Sequence, residues 1–277
     1  MNKLLWANWA RLRRYKAFWL ALAGVFLVSL LSIWSGSRAA QQLAQSGFVR
    51  TLDSYYFALA TFLGGLYAVF FSLFLSAEFS DGTVRNKLVV GHSHVHIYLA
   101  DYLVCLAACL AFAAAWLLGG LPCLLWMGPF SMGLSEFFAY LLVIFGFTAA
   151  FAALFALINL LPANKAVTVV LSLAVWLGLV LAASAFYDRL SEPEMLSGVV
   201  YADGAFQEVE PHPNPMYLAG AARTVCTWAL EFLPAGQAQL VRGVEVASPL
   251  RMLAFSALFT ALALLAGVCI FQKKDLK

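Results

Sequence analysis

Residues 166–187 read AVTVVLSLAVWLGLVLAASAFY and contain no charged side chain. A helix of this length extends about 33 Å, at about 1.5 Å per residue, which is enough to cross the roughly 30 Å hydrocarbon core of a membrane. Charged residues bound the stretch on both sides, at Lys165 and Asp188. The sequence therefore predicts a membrane-spanning helix at this position.

The whole chain has the composition of a membrane protein. Of its 277 residues, 63% are hydrophobic and 11% are charged, whereas soluble domains are about 25% charged. Stretches long and apolar enough to cross a membrane lie near residues 17–34, 55–77, 98–126, 137–161, 166–187 and 250–271. We therefore expect an all-α integral membrane protein with six transmembrane helices, forming a single domain over residues 1–277.

Basic residues close to the spans predict the orientation, because short segments rich in Lys and Arg tend to stay in the cytoplasm. With both termini inside, eleven basic residues are cytoplasmic and six are external. The inside set is Lys3, Arg11, Arg13, Arg14, Lys16, Arg85, Lys87, Lys165, Lys273, Lys274 and Lys277. We expect a multi-pass protein of the cell membrane with residues 188–249 outside. The first apolar run is 18 residues long, which is too long for a typical signal peptide, whose core has about 7–15.

The N-terminal segment, residues 1–16, predicts an amphipathic helix. At 100° per residue, Leu5, Trp6, Trp9 and Leu12 share one side of residues 2–16, and Lys3, Arg11 and Arg14 share the other. Such a helix is suited to lie in the plane of the lipid headgroups. A basic anchor that only fixes the topology explains the pattern equally well.

Residues 188–249 form a long external loop with two parts. The first is acidic and contains prolines, and the second, MYLAGAARTVCTWALEFLPAG at 216–236, is apolar with a helical pattern. A seventh span is disfavoured, because Arg223 and Glu231 interrupt the run and an odd number of spans would place the Lys-rich tail outside. A re-entrant helix within 215–234, buried by neighbouring helices, fits better.

The most polar of the predicted cytoplasmic loops is residues 78–97, EFSDGTVRNKLVVGHSHVHI. Ser80 or Asp81 can cap a short helix, and Gly91 can end it in a left-handed conformation. Val84 and Leu88 then share one face, and Arg85, Asn86 and Lys87 point elsewhere. The loop therefore predicts a short helix, with one apolar and one polar face, that joins spans two and three.

Three histidines follow this helix, at His92, His94 and His96. On a strand they would share one face and could bind zinc. On a helix, neighbours in this series are about 200° apart and do not converge. Because the stretch leads directly into the third span, we expect helix or a tight turn and no metal site.

Signatures of catalysis and ion coupling are missing from the sequence. It contains no phosphate-binding Gly-Lys-Ser/Thr loop, no nucleophile elbow and no metalloprotease His-Glu motif. The span interiors hold almost no ionisable residues, which such carriers use as relays; Asp101 and Glu136 lie near span ends. Four of the five cysteines lie in predicted spans and give no disulfide framework. We expect no catalytic, cofactor-binding or metal residues in this chain, and we expect energy for any transport to come from elsewhere.

The arrangement resembles a type 2 ABC transporter permease, the membrane-spanning subunit of ABC exporters. The resemblance includes the basic start, the six spans, NPMYLAG at 214–220 and the tail FQKKDLK. Its most specific part is the loop between spans two and three, where the family pattern corresponds to Glu78, Gly82, Thr83, Val84, Arg85, Asn86, Lys87 and Gly91. Where the family often has a basic residue shortly after that glycine, this chain has His94.

The resemblance implies that residues 81–91 form a cytoplasmic coupling helix that docks into a separate ABC ATP-binding subunit. The expected partner-coupling residues are Glu78, Asp81, Gly82, Thr83, Arg85, Asn86, Lys87 and Gly91. ATP and Mg would bind the partner subunit, and a second permease chain, identical or not, would complete the transporter; no nucleic acid is involved. Lipids, peptides, including antimicrobial ones, and drugs remain open as substrates. The alternatives are a non-transporting immunity or sensory subunit and, less favoured, an ion-coupled secondary carrier.

Overall fold

Long apolar helices make up most of the computed structural model, which describes residues 1–44, 52–123, 125, 130–161, 164–202 and 205–274. The described helices are α1 Asn2–Arg14, α2 Lys16–Ala44, α3 Leu52–Tyr56, α4 Ala60–Ser80, α5 Thr83–Val89, α6 His94–Gly120, α7 Leu134–Ile158, α8 Lys165–Ser191, α9 Gly220–Phe232, α10 Pro234–Gly243 and α11 Pro249–Lys273. The end of the predicted third span beyond residue 125, and Lys277 in the tail, lie outside the described residues.

Six of these helices are long and apolar enough to cross a membrane, as the sequence predicts: α2, α4, α6, α7, α8 and α11. The predicted start of the second span is wrong, because residues 52–56 form the separate short helix α3 and α4 begins only at Ala60. Helices α4, α6 and α7 form the centre of the bundle. In the most apolar 18-residue stretch of each, 72%, 56% and 67% of the residues are buried, whereas the share is 17% in α2, α8 and α11.

Hydrogen bonds between side chains link the central helices in the apolar interior. Ser72 of α4 donates to Ser172 of α8 at 2.9 Å, and Ser76 of α4 donates to Asn159, just after α7, at 3.1 Å. Such bonds hold helices together in lipid, where apolar surface alone gives little preference for protein over lipid contact. They fix how α4 lies between α7 and α8.

The two ends of the bundle differ in content. The α5 end contains α1, α5, the start of α6 and the end of α11. Two contacts place the end of α11 there: Lys274 Nζ donates to Leu160 O at 2.6 Å, and Phe271 packs against His94 at the start of α6. Partial burial lowers the pKa of the Lys274 amine. The opposite end contains α3, the start of α7, the end of α8, α9 and α10. There, burial raises the pKa of the Tyr56 hydroxyl, which donates to Leu117 O at 2.6 Å.

Residues 195–213 depart from the all-α expectation, because they form an antiparallel pair of strands, β1 Met195–Ala202 and β2 Ala205–Pro213. At the base of this hairpin, Asn214 donates from its side chain to Glu192 at 2.9 Å and to Pro193 O at 3.0 Å. The hairpin is therefore fastened where it leaves α8.

The predicted helix within 215–234 corresponds to α9, and a second helix, α10, follows it directly. Helix α9 ends at Phe232, and Pro234 begins α10, consistent with the preference of proline for the first turn of a helix. Helix α10 is buried against α4, α7 and α8. Gln237 in α10 is fully buried and donates to Glu231 O and Met252 O at 2.7 and 2.8 Å. Helix α10 thus packs into the bundle, and the re-entrant position expected for residues 215–234 stays a prediction.

Candidate functional site at the α5 end

A short helix, α5, is present between spans two and three, where the sequence predicts one. Gly82, not Ser80 or Asp81, is the residue before its first turn, with a left-handed φ of 67°. That conformation favours glycine because a Cβ would crowd the backbone. At the other end, Gly91 has a φ of 94°, in agreement with the predicted glycine stop.

Packing fixes one face of α5 on the bundle. Val84 is buried at 2% exposure, and Leu88, one turn later, packs partly buried against the same core. The Thr83 hydroxyl donates to Glu78 O at 3.0 Å, which ties the start of α5 to the end of α4. The predicted apolar face is therefore the face that α5 presents to the protein.

Beneath α5 lies a cluster of polar side chains from four helices, here called the ion-pair cluster: Asn8, Arg11, Glu78, Lys87 and Asp101. Lys87 Nζ lies 2.6 Å from Glu78 Oε2 and 3.5 Å from Asp101 Oδ1. Arg11 pairs with the other oxygen of Glu78. The cluster therefore connects α1, α4, α5 and α6.

Asn8 of α1 completes the ion-pair cluster. Its side-chain nitrogen donates to Asp101 Oδ1 at 2.5 Å, and its oxygen accepts from Lys87 Nζ at 3.0 Å. Two cations thus face two carboxylates, and the formal charges balance. A buried ion is tolerated only when it is paired and hydrogen-bonded, so this arrangement satisfies Glu78, whose side chain is 2% exposed.

Arg11 does not lie on the side of α1 that the helical pattern predicts. The sequence placed it on a polar side with Lys3 and Arg14, but it points into the bundle. Besides Glu78, its guanidinium contacts Phe74, at 3.1 Å from the backbone oxygen and 3.9 Å from the ring centroid. The residues of α1 that are buried are Leu4, Asn8 and Leu12, whereas Trp6 is 71% exposed. Glu78 explains why Arg11 points into the bundle, because its carboxylate offers the Arg11 guanidinium a buried partner of opposite charge.

The structure separates the predicted partner-coupling residues into two groups. Glu78 and Lys87 lie inside the ion-pair cluster, and the Lys87 side chain is only 15% exposed. Exposed side chains or backbone are found at Asp81, Thr83, Arg85, Asn86 and Gly91, with Gly82 half-buried. The inward position of Lys87 differs from the sequence interpretation, which grouped it with Arg85 and Asn86 away from the apolar face.

Two exposed valines extend the surface of α5 beyond the predicted residues. Val89 and Val90 are 80% and 77% exposed at its C-terminal end. The sequence analysis did not select them, although two adjacent β-branched residues before a glycine stop are a visible signal. Together with Arg85 and Asn86 they give α5 a mixed apolar and basic surface.

The three histidines do not share a strand face. His94 and His96 lie in the first turn of α6, which is capped by Ser93 accepting from His96 N at 3.3 Å, and His92 lies in the preceding turn. Among the described residues, no group of three His, Cys, Asp or Glu side chains is placed to hold a metal ion. The helical reading of this stretch therefore agrees with the structure.

A comparison with protein families shows that residues 4–182 match the model of a family described as ABC-2 family transporter protein. The matched region covers α1 through most of α8, including α5 and the ion-pair cluster. The chain belongs to the ABC-2 transporter family. It is thus a membrane subunit of the permease type, and six of its described helices are long and apolar enough to cross a membrane. A comparison with curated proteins finds no match.

In this ABC-2 permease, the ion-pair cluster gives α5 little freedom to move by itself. Shifting α5 away from α4 and α6 would separate Lys87 from two carboxylates in a poorly hydrated site. Breaking such a buried pair costs about 3–5 kcal/mol. A force on the exposed side of α5 is therefore passed to α1, α4 and α6 together.

Proposed function

We propose that this permease is the membrane-spanning subunit of an ATP-driven ABC exporter and that α5 is the coupling helix that docks into a separate ATP-binding subunit. The observation that carries the proposal is that α5 is exposed on one face and anchored on the other by the ion-pair cluster. A connector that merely joined two spans would not need a neutralised network of four charges beneath it.

The proposed mechanism is mechanical. ATP and Mg bind the partner subunit, and closure of two such subunits displaces α5. Because Lys87, Glu78 and Asp101 bind one another, α4 and α6 move with α5, which switches the central path between its two open states. The nucleotide can drive this change only if the partner binds the two states with different affinity.

The distribution of charge supports a cytoplasmic location for the α5 end. Basic residues at this end include Lys3, Arg13, Arg14, Arg85 and Lys273. Lys and Arg near short loops tend to remain on the cytoplasmic side, where ATP is available. We therefore propose that both termini are cytoplasmic, in the cell membrane, and that a second permease chain, identical or not, completes the transporter.

Co-purification tests the docking surface directly. We expect the tagged chain, extracted in mild detergent from its native membrane, to retain a P-loop ATPase at stoichiometric amounts. Arg85→Glu should reduce that retention by at least about tenfold, because a reversed charge at an interface costs about 2 kcal/mol or more. The readout is quantitative mass spectrometry of the eluted complex.

Arg14→Glu is the matched control, since Arg14 is an exposed basic residue at the same end but lies on α1. It should keep the ATPase. Equal retention by wild type and Arg85→Glu would reject the role assigned to Arg85. If no ATPase is recovered even with wild type, under conditions that preserve known complexes, a non-transporting immunity or sensory subunit becomes the better reading.

A further inference from the structure

A second site lies at the opposite end of the bundle, in a cavity of about 680 Å³ between the start of α7, the end of α8, α9, α10 and the segment after α10. We propose that this cavity binds the headgroup of a zwitterionic phospholipid that carries a primary ammonium group. Its volume falls in the range of small-ligand sites, about 300–1,000 Å³. The proposal concerns binding by this chain alone and does not rest on the exporter assignment.

Two carboxylates in the cavity wall can receive the ammonium group. Glu136 is exposed in the first turn of α7, and Glu245 follows α10. The Tyr187 hydroxyl donates to Glu245 Oε1 at 2.9 Å and so orients this carboxylate. A primary ammonium has three N–H donors that a carboxylate can accept, whereas a trimethylated ammonium has none.

Arg223 supplies a site for the phosphate in the same cavity. One of its terminal nitrogens, Nη2, donates to Leu190 O at 3.0 Å. The other, Nη1, is buried without a hydrogen-bond partner among the described residues. Arg223 lines the cavity, and its planar guanidinium is suited to bind a phosphate.

The position of the cavity favours a lipid over a water-soluble ligand. Glu136 lies where the span α7 begins, and Leu190 and Ser191 lie where the span α8 ends, so the cavity is at the depth expected for headgroups. Helix α9 exposes Val225 and Trp228 on a face away from the cavity-lining residues Arg223 and Thr227, and tryptophan is enriched at the membrane interface. A phospholipid can therefore reach the cavity without leaving its leaflet.

A hydrogen-bonded turn at Val244 positions the second carboxylate, Glu245. Val244 has a left-handed conformation, with φ 59° and ψ 40°, which is strained for a β-branched residue. The turn directs the Glu245 N–H to Leu240 O at 2.9 Å and the Val246 N–H to the Tyr140 hydroxyl at 3.2 Å. The strained turn thus sets Glu245 on the cavity wall, next to apolar side chains that can contact acyl chains.

Native mass spectrometry of the purified full chain tests this assignment. The probes are phosphatidylethanolamine, phosphatidylcholine and phosphatidylglycerol with identical acyl chains. We expect one phosphatidylethanolamine to bind about tenfold more tightly than either of the others, a factor that corresponds to one hydrogen bond to a charged group. Glu245→Gln and Glu136→Gln should each reduce this preference by about threefold, since the two carboxylates share the ammonium group, while leaving phosphatidylglycerol binding unchanged.

Arg223→Gln should weaken all three lipids, because each carries the phosphate. Asp188→Asn is the matched control, since Asp188 is an exposed carboxylate at the same end but does not line the cavity. Equal affinity for the three lipids would overturn the proposal, as would full preference in both glutamate variants. Displacement of phosphatidylethanolamine by a soluble zwitterionic peptide at lower concentration would also overturn it, in favour of a peptide site. No ATPase is present in this assay, so its outcome is separate from that of the co-purification.

Discussion

The two ends of the bundle place charged side chains near the membrane surface in contrasting ways. At the α5 end, Arg11 and Lys87 face Glu78 and Asp101, and the charges neutralise one another. In the cavity at the opposite end, Arg223 donates to the backbone oxygen of Leu190, and among the described residues it forms no salt bridge with a carboxylate. A set of charges closed on itself fixes structure, whereas one left open is suited to receive a ligand. The following experiments test whether this contrast is real.

The largest effect on stability is expected from breaking the ion-pair cluster. Lys87→Met leaves Glu78 and Asp101 with only Arg11 as a cation, so two carboxylates remain close together in a poorly hydrated site. We expect the free energy of unfolding to fall by about 3–5 kcal/mol, the usual cost of removing one partner from a buried ion pair. Unfolding by denaturing detergent in mixed micelles measures it.

Arg85→Met is the control for Lys87→Met, because it removes a basic side chain from the exposed side of the same helix. It should change the free energy of unfolding by less than about 0.5 kcal/mol. Similar stability of the two variants would mean that the ion-pair cluster does not hold α5, and the contrast between the two ends would be lost.

A smaller effect is expected from disturbing the frame of the opposite end. At Gly236 in α10, an added Cβ would collide with the backbone oxygen of Leu230, which cannot move as a side chain can. Gly236→Ala should therefore lower the free energy of unfolding by about 1–3 kcal/mol. Gly178→Ala, in α8, has open space around the new methyl group and should be neutral or slightly stabilising. A neutral Gly236→Ala would show that α10 is loosely held and that the cavity beside it has no fixed shape.

The smallest effect is expected at the start of α5. Gly82 has its left-handed conformation in open space, so Gly82→Ala adds only backbone strain, about 1 kcal/mol. The same unfolding assay detects it, with Gly24→Ala, also in open space but without a left-handed φ, as the control. If Gly82→Ala costs nothing, the turn between α4 and α5 adapts freely, and the rigidity of the α5 end would come from the ion-pair cluster alone.

Hydropathy was sufficient to locate the spans, because crossing a hydrocarbon core imposes a length and a composition that few other structures need. Glycine also located the end of α5, since Gly91 follows its last apolar residue. The start of α5 was wrongly assigned to Ser80 or Asp81. Both can cap a helix with a side chain, and nothing local in the sequence reveals that Gly82 takes the left-handed conformation instead.

The ion-pair cluster could not be derived from sequence periodicity. Asn8 and Asp101 are 93 positions apart, and a helical wheel for α1 contains no information about which residues of α4 and α6 will face it. Asp101 was a general indication of such a cluster, because an acidic residue at the start of a span requires a partner for its charge. The strands β1 and β2 had a clearer signal, because Asp203 and Gly204 between them form a dipeptide typical of tight hairpin turns.

The order of residues in the ion-pair cluster has a consequence for how the chain is made. All five of its members lie within the first 101 residues, and α2, which lies between α1 and α4 in the sequence, packs against α6. The ribosome therefore adds every residue of this network before it begins α7, α8 or α11. The first three spans can settle as a charge-neutral unit during membrane insertion, on which the later helices then assemble.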